Sequence, residues 1–255
     1  MSNSKHHHIA VDIGNSSIKI GVSASGSQDW ISRWSGQITE LDLNLLPLLP
    51  KGTADWWVCS VNQPDLDDLQ EWLKTNRAND FVRVINCHVI PMKVNVASHD
   101  RVGVDRLVAA YGASLRHPDR DLVVVDAGTT VTVDAVGEGK FIGGTISPGS
   151  RIEFEALLTQ ADQLPLIDAS EIPENVIGKS TEAAIRSGVL FGQVGSVTFL
   201  AAEIAKQLSD PKVIATGGGT TQLQKLLPDS WDFTPTLVLD GIRHLANESE
   251  SGSEQ

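Results

Sequence analysis

Residues 9–22 read IAVDIGNSSIKIGV, and residues 123–136 read VVVDAGTTVTVDAV. With a shift of 114 positions, Asp12 falls on Asp126, Gly14 on Gly128 and Ser16 on Thr130. Each copy is an aliphatic run, then Asp-x-Gly with small polar residues, then a second run with partial alternation. Runs this short, bounded by turn residues and rich in β-branched side chains, predict strands. Each copy therefore predicts a β-hairpin with a polar tip, one opening each half of the chain. Two related halves predict two similar domains, 1–118 and 119–246, with the boundary near the stretch HPDRD at 117–121. Two copies this far apart are not a short-period solenoid.

Working outward, the first half predicts a buried strand at Trp56–Val61, a helix at Leu66–Lys74 and a strand at Phe81–Ile85. At Gly103–Arg116, Val104, Leu107, Val108, Tyr111 and Leu115 share one face of a helix. The second half predicts a strand at Phe141–Ser147, a helix at Ile152–Gln160 and a Pro-rich, acidic loop over 162–175. A long helical region, Thr181–Leu208, contains Gly188, Gly192 and Gly195 and is expected to bend or break there. A short strand at Val213–Ala215 runs into Thr216-Gly217-Gly218-Gly219. Strands alternating with helices, after a hairpin in each half, indicate an α/β fold with mixed sheets.

The chain has 255 residues, 41% hydrophobic and 20% charged, as in ordinary globular proteins. Its 20 Lys+Arg against 32 Asp+Glu give a net charge of −12. That sign argues against nucleic-acid binding and against attachment to anionic membranes. Cys59 and Cys87 have no zinc-like spacing and read as reduced structural thiols, as expected of a cytoplasmic protein. No apolar run of about 18 residues is evident, and residues 1–8 hold no signal-peptide core. His6, His7 and His8 read as an inert polar start rather than a ligand set. Residues 247–255, NESESGSEQ, read as a disordered acidic tail.

The chemistry concentrates in a few motifs. Asp12-Ile13-Gly14-Asn15-Ser16-Ser17 can wrap an anion with backbone N–H groups and hydroxyls, and Lys19 on the return strand adds positive charge. Asp126-Ala127-Gly128-Thr129-Thr130 is a second such tip. The aspartates repel phosphate themselves and make sense beside a cation such as Mg²⁺ or a monovalent ion. The run Thr216–Gly219 allows a flat ring or a ribose to approach main chain, and Gly143-Gly144 and Pro148-Gly149 either line the same cleft or kink a strand. In Gly103-Val104-Asp105-Arg106, Asp105 opens a helix, where it either caps the helix or accepts a hydroxyl proton, and Arg106 can clamp a carboxylate. Gly178-Lys179-Ser180-Thr181 ends like a P-loop, but Pro173 stands where that motif needs glycine, so it reads as a helix start.

The ordered set DIGNSSIK (12–19), GVDR (103–106), DAGTTVT (126–132), FIGGTISPG (141–149), GKST (178–181) and TGGG (216–219) resembles the type III pantothenate kinases of the actin-like ATPase and sugar-kinase superfamily. The resemblance implies two similar actin-like (ribonuclease H-like) domains with mixed sheets and a nucleotide cleft between them. It implies ATP-dependent phosphorylation of pantothenate, the first step toward coenzyme A, by a homodimer using Mg²⁺ and a monovalent cation, K⁺ or NH4⁺. Carried over by motif, Asp12, Ile13, Gly14, Asn15, Ser16, Ser17, Ile18, Lys19 and Thr129 would bind ATP, and Asp126 would hold the monovalent cation. Asp105 would accept the proton of the pantothenate hydroxyl. Gly103, Val104, Asp105, Arg106 and Thr181 would contact pantothenate. The family's Y-x-x-P stretch before GxDR is replaced here by Val96-Ala97-Ser98-His99, which puts one substrate contact in question. Ser16 and Thr130 stand where threonine and alanine are commoner. Two other functions fit the same motifs: a nucleotide-binding regulator on this scaffold, and a kinase for another small alcohol.

Overall fold

The computed structural model describes residues 6–160 and 171–251. In chain order its elements are β1 His7–Ile13, β2 Ile18–Ala24, β3 Ser32–Gly36, α1 Leu41–Asn44, β4 Asp55–Ser60, α2 Gln63–Asn76, β5 Phe81–Val84, β6 Lys93–Val94, α3 Val104–Arg116, β7 Leu122–Ala127, β8 Thr130–Gly137, β9 Lys140–Pro148, α4 Ser150–Gln160, α5 Thr181–Ala205, β10 Lys212–Thr216, α6 Gly218–Leu223, β11 Asp232–Phe233 and α7 Leu237–Ser251. They divide into two compact units. Unit 1 comprises Met1–Met92, Ser98–Leu115 and Leu237–Gln255, and unit 2 comprises Lys93–Ala97 and Arg116–Thr236.

Unit 1 holds a sheet of order β3-β2-β1-β4-β5. The hairpin β1–β2 is antiparallel, with Asp12 opposite Lys19 and Ile13 opposite Ile18, while β4 runs parallel to β1 and places Cys59 beside Asp12. Ile9, Ala10, Val11 and Ile13 are all buried, as befits a central strand covered on both faces. The helix α2 starts where the Asn62 side chain, its cap, accepts the Asp65 N–H at 3.3 Å, with Pro64 in its first turn. Leu66, Leu69 and Leu73 then repeat at helical spacing and join the core formed by β1, β2 and β4. Asp80 fastens the neighbouring loop: it accepts hydrogen bonds from the Trp56 indole at 2.8 Å, the Arg77 guanidinium at 2.7 Å and the Ala54 N–H at 3.2 Å.

The C-terminal segment departs from the sequence reading. Residues 237–246 were expected in the second domain and 247–255 as a disordered tail. Instead α7 is helical to Ser251 and packs on β1, β2 and β4 within unit 1. The cause is local. A Cβ on Gly241 would lie 2.7 Å from the Val108 carbonyl of α3, so only glycine lets the two helix backbones touch. The Trp30 indole donates to Asp240 at 3.0 Å and carries the Arg243 guanidinium 4.4 Å above its ring. On α3, Leu107, Val108 and Tyr111 are buried as expected, but Leu115 at the last turn is exposed.

Unit 2 repeats the pattern. Its sheet order is β11-β10-β7-β8-β9-β6. The hairpin β7–β8 is antiparallel, β9 adds antiparallel to β8, and β10 lies parallel to β7 on the other side. The echo in sequence is thus an echo in topology, strand for strand from β3 to β5 against β9 to β11. The long α5 is one unbroken helix. A Cβ at Gly188, Gly192 or Gly195 would meet no heavy atom within 4 Å, while Val189, Leu190, Val197 and Ala201 anchor the opposite side in the unit 2 core. Burial of that side outweighs the roughly 1 kcal/mol that each helical glycine costs. This helix is also long and apolar enough, by length and composition, to cross a membrane, a run that the reading of the sequence passed over. One side of it packs on β7 and β8, and 28% of its most apolar 18-residue window is buried. Of the loop expected over 162–175, residues 162–170 lie outside the described residues.

Candidate active site

In unit 1 the tip between β1 and β2 closes with the Gly14 N–H donating to the Ser17 carbonyl at 3.1 Å. Asn15 is exposed and Gly14, Ser16 and Ser17 are half-buried, so this turn presents N–H groups and hydroxyls at the surface. The Gln37 amide holds the Ser16 carbonyl at 2.8 Å. Ile13 and Ile18 point into the core, so only their backbone is available to a ligand. Asp12 is buried directly below, and Lys19 reaches it across the hairpin at 3.3 Å between Nζ and Oδ2. The pair sets an ammonium against this buried carboxylate and leaves the ammonium partly exposed beside the turn.

Asp105 enters from the first turn of α3. Its Oδ1 accepts the Arg106 N–H at 2.8 Å, and a Cβ on Gly103 would lie 2.5 Å from the same oxygen. Glycine at 103 therefore gives the carboxylate the room it occupies, and the helix N-terminus favours its ionised form. Val104 and Arg106 are half-buried beside it. The Cys59 thiol is held well above the ordinary value, first by complete burial, then by the negative charges of Asp12 and Asp105, with Lys19 acting in the opposite sense. Cys59 lies in register beside Asp12 near the carboxyl end of β1 and β4, and feels the charges of Asp12, Asp105 and Lys19. From sequence Cys59 reads as a plain structural thiol. Its only sequence signal was its place at the end of an apolar strand.

In unit 2 the equivalent tip is built from glycines far apart in sequence. The Gly128 N–H donates to the Thr130 carbonyl at 2.9 Å, and the Gly149 N–H donates to the Thr129 carbonyl at 3.0 Å. A Cβ on Gly149 would collide with the Gly128 and Thr129 carbonyls. Gly217 has φ +92, and a Cβ there would collide with Asp126 Oδ1 and the Ala127 carbonyl. Three of the motifs therefore meet at one place: DAGTT, PG and TGGG. Gly143 and Gly144 do not join them. They face Ala135 and Asp134 at the irregularity in the β8–β9 ladder and serve the strand geometry.

Asp126 is half-buried and is flanked in register by Thr132 on β8 and Thr216 on β10, both buried. The matching positions around Asp12 are Lys19 and Cys59. The two tips are therefore electrostatically unlike. Asp12 has an ammonium directly opposite, whereas Asp126 has hydroxyl-bearing side chains at both cross-strand positions. A carboxylate among neutral oxygens is a suitable donor set for a hard cation. Thr132 and Thr216 lie within the DAGTTVT and TGGG motifs, but their place beside Asp126 comes from strand register and is not legible in either motif.

Thr181 is the exposed first residue of α5, capped by Ser180, whose hydroxyl accepts the Ala183 N–H at 3.1 Å. Gly178 packs directly on the backbone of Ala183 and Ala184. GKST is thus a helix start, as its departure from the P-loop pattern required. The stretch Val96–His99 leads into a short turn in which the Arg101 N–H donates to the Ser98 carbonyl at 3.3 Å. His99 lies edge-on to His88 with ring centroids 5.2 Å apart. Both cysteines are free.

A family model described as type III pantothenate kinase matches residues 8–203. A type III pantothenate kinase of Alkalilimnicola ehrlichii is 34% identical over 254 residues, covering 95% of this chain and 99% of that protein. Among solved structures, a conserved putative Baf family transcriptional activator from Campylobacter jejuni is similar with a TM-score of 0.61 at 20% identity, covering 95% of this chain and 99% of its own. A putative 2-dehydro-3-deoxygalactonokinase from Sinorhizobium meliloti has a TM-score of 0.54 at 14% identity, covering 95% and 99%. At such identities the structural likeness concerns the fold, which is that of the actin-like ATPases and sugar kinases. The sequence matches over nearly the whole chain carry the assignment: this chain belongs to the type III pantothenate kinase family.

Proposed function

We propose that this chain transfers the γ-phosphoryl group of ATP to the hydroxyl of pantothenate, the first step toward coenzyme A. The observation that carries the reading is the Lys19–Asp12 pair, 3.3 Å apart under the 13–18 turn, together with Asp105 held at the start of α3 by the Arg106 N–H. Asp105 is the proton acceptor for the attacking hydroxyl, its carboxylate kept ionised and in place by the start of α3. Arg106 faces the pantothenate carboxylate. The turn 13–18 binds the ATP phosphates through its backbone, and Lys19 offsets their charge while holding Asp12. Thr129 contacts ATP, and Thr181 contacts pantothenate.

Mg²⁺, when bound, neutralises charge on the transferring phosphoryl oxygens, and Asp12 is the residue that would face it or its waters. Asp126, with Thr132 and Thr216 in register, would hold the monovalent cation, K⁺ or NH4⁺. The protein acts as a cytoplasmic homodimer. ATP consumption by the purified protein, measured with and without pantothenate in K⁺ and then Na⁺ buffer, tests the reaction and the cation together. Asp105→Asn keeps a hydrogen-bond acceptor at the helix start but removes the base, so turnover falls by about 10²–10⁴ with the fold intact. Wild-type turnover in that variant would exclude Asp105 as the base.

A second reading, a kinase for another small alcohol, is favoured by one feature: His99 stands in the stretch that replaces the family's Y-x-x-P. A panel of small alcohols in the same assay separates the two.

A further inference from the structure

His6 and His8 are two apart on an extended chain, so both imidazoles lie on one face of β1 with His7 on the other. In unit 1 that face meets the last turn of α7. His8 Nε2 lies 3.3 Å from Glu250 Oε1, and His6 Nε2 lies 3.9 Å from the same oxygen. One ligand atom from each of His6, His8 and Glu250 falls within 4.8 Å of the other two. Asp55, in register beside His8 on β4, places Oδ2 3.3 Å from His6 Nε2.

The burial of this cluster is what calls for an occupant. The His8 side chain is 2% exposed; its Nδ1 has no hydrogen-bond partner, and its Nε2 faces the Glu250 carboxylate at 3.3 Å. Asp55 Oδ1 is likewise buried without a hydrogen-bond partner. Buried polar atoms are nearly always satisfied, so the unpartnered His8 Nδ1 and Asp55 Oδ1 mark a cluster that its own hydrogen bonds do not close. Glu250 is already oriented: the Ser25 hydroxyl donates to Oε2, which leaves Oε1 toward the two imidazoles. A hydrogen bond to the other carboxylate oxygen is how ligating carboxylates are commonly held.

We propose that His6, His8 and Glu250 form a binding site for one divalent transition-metal ion of the Zn²⁺ type, with Asp55 placed to supply a further oxygen. Two imidazoles and one or two carboxylates are the donors such ions take, and Mg²⁺ would prefer oxygen alone. Ligands about 2.1 Å from a tetrahedral ion are themselves about 3.4 Å apart, close to the separations already present. The site is distinct from the kinase constellation at Asp12 and Asp105. Its ligands come from both ends of the chain, so an ion there would clamp β1 to α7.

The experiment uses full-length protein without an affinity tag, stripped with chelator, carrying Cys87→Ser and His88→Ala. Those two changes silence a second, more exposed trio, Cys87, His88 and His99, that could also take zinc. Titration with Zn²⁺ is expected to give one equivalent per chain, and the thermal midpoint to rise by roughly 5 °C at a hundredfold excess over Kd. Adding His6→Ala, or separately Glu250→Gln, is expected to abolish both effects while the far-UV circular dichroism is unchanged. His6 is partly exposed and Glu250 lies in a terminal turn, so neither change threatens the core. Absence of saturable 1:1 binding in the background protein would overturn the proposal and leave an ion-paired cluster. So would equal binding in both variants.

Discussion

The three glycines of the 217–219 run do different work, and substituting each by alanine separates them. Gly217 has φ +92, where an L-residue costs about 1–2 kcal/mol. Its Cβ would also overlap Asp126 Oδ1 and the Ala127 carbonyl, and overpacking of this kind adds about 1–3 kcal/mol. Gly217→Ala is therefore expected to destabilise unit 2 by about 2–5 kcal/mol and to displace the Asp126 carboxylate. Gly218, the first residue of α6, would bring its Cβ near no heavy atom within 4 Å. Gly218→Ala should gain about 0.5–1 kcal/mol from reduced backbone freedom in the unfolded chain. Gly219 lies between: its Cβ would stand 2.9 Å from the Ala127 carbonyl, so helix propensity and crowding offset each other to a net loss of about 0–2 kcal/mol. Urea unfolding by far-UV circular dichroism reads the three values, and amide exchange in β7 localises them to unit 2. Equal effects of Gly217→Ala and Gly218→Ala would refute the claim that the run is shaped around Asp126.

Other outcomes follow from the same structure. Asp80→Ala removes the acceptor for the Trp56 indole, the Arg77 guanidinium and the Ala54 N–H at a carboxylate only 3% exposed, so it should cost about 3–5 kcal/mol in urea unfolding. A cost under about 1 kcal/mol would mean that water replaces these bonds. Asp232 is held down to about 2, chiefly by its hydrogen bond from Arg116 and then by His117, against the opposing effect of burial. A carboxyl depressed in the folded state stabilises above its unfolded value and loses that contribution as pH falls from about 4 toward 2. Arg116 is half-exposed, so the gain is about 1 kcal/mol. Asp232→Asn should show that deficit at pH 7 and converge with the parent near pH 2 in denaturation curves.

Much of the fold could be read because hairpins and amphipathic helices are written locally. The two Asp-x-Gly tips, α2 and α3 followed from periodicity and turn residues within short windows. What escaped needed information about partners distant in sequence. The apolar pattern of α7 shows that one face is buried but not against which sheet, and the Gly241–Val108 contact decides it. The glycines of α5 read as breaks because propensity is local, whereas the burial that holds the helix together is not. At the site, Asp12, Lys19 and Asp105 carried their own signals. Cys59 acquired its signal only from register, as did the place of Thr132 and Thr216 beside Asp126, and His6 and His8 acquired theirs only from Glu250 far along the chain.

The order in which the chain is made gives the location of α7 a further meaning. Unit 1 begins with the first strand yet lacks its last helix until Leu237–Ser251 has left the ribosome. All of Arg116–Thr236 must be synthesised in between, which at 5–20 residues per second takes on the order of ten seconds. During that interval the β1, β2 and β4 surface that α7 covers stays open, while unit 2 has its whole sequence available and can fold first. A nascent chain stalled before residue 237 would thus present a finished second half tethered to an unfinished first half. Such a chain is a natural client for a chaperone that shields sheet surfaces. A premature stop between codons 237 and 251 would damage the domain made earliest.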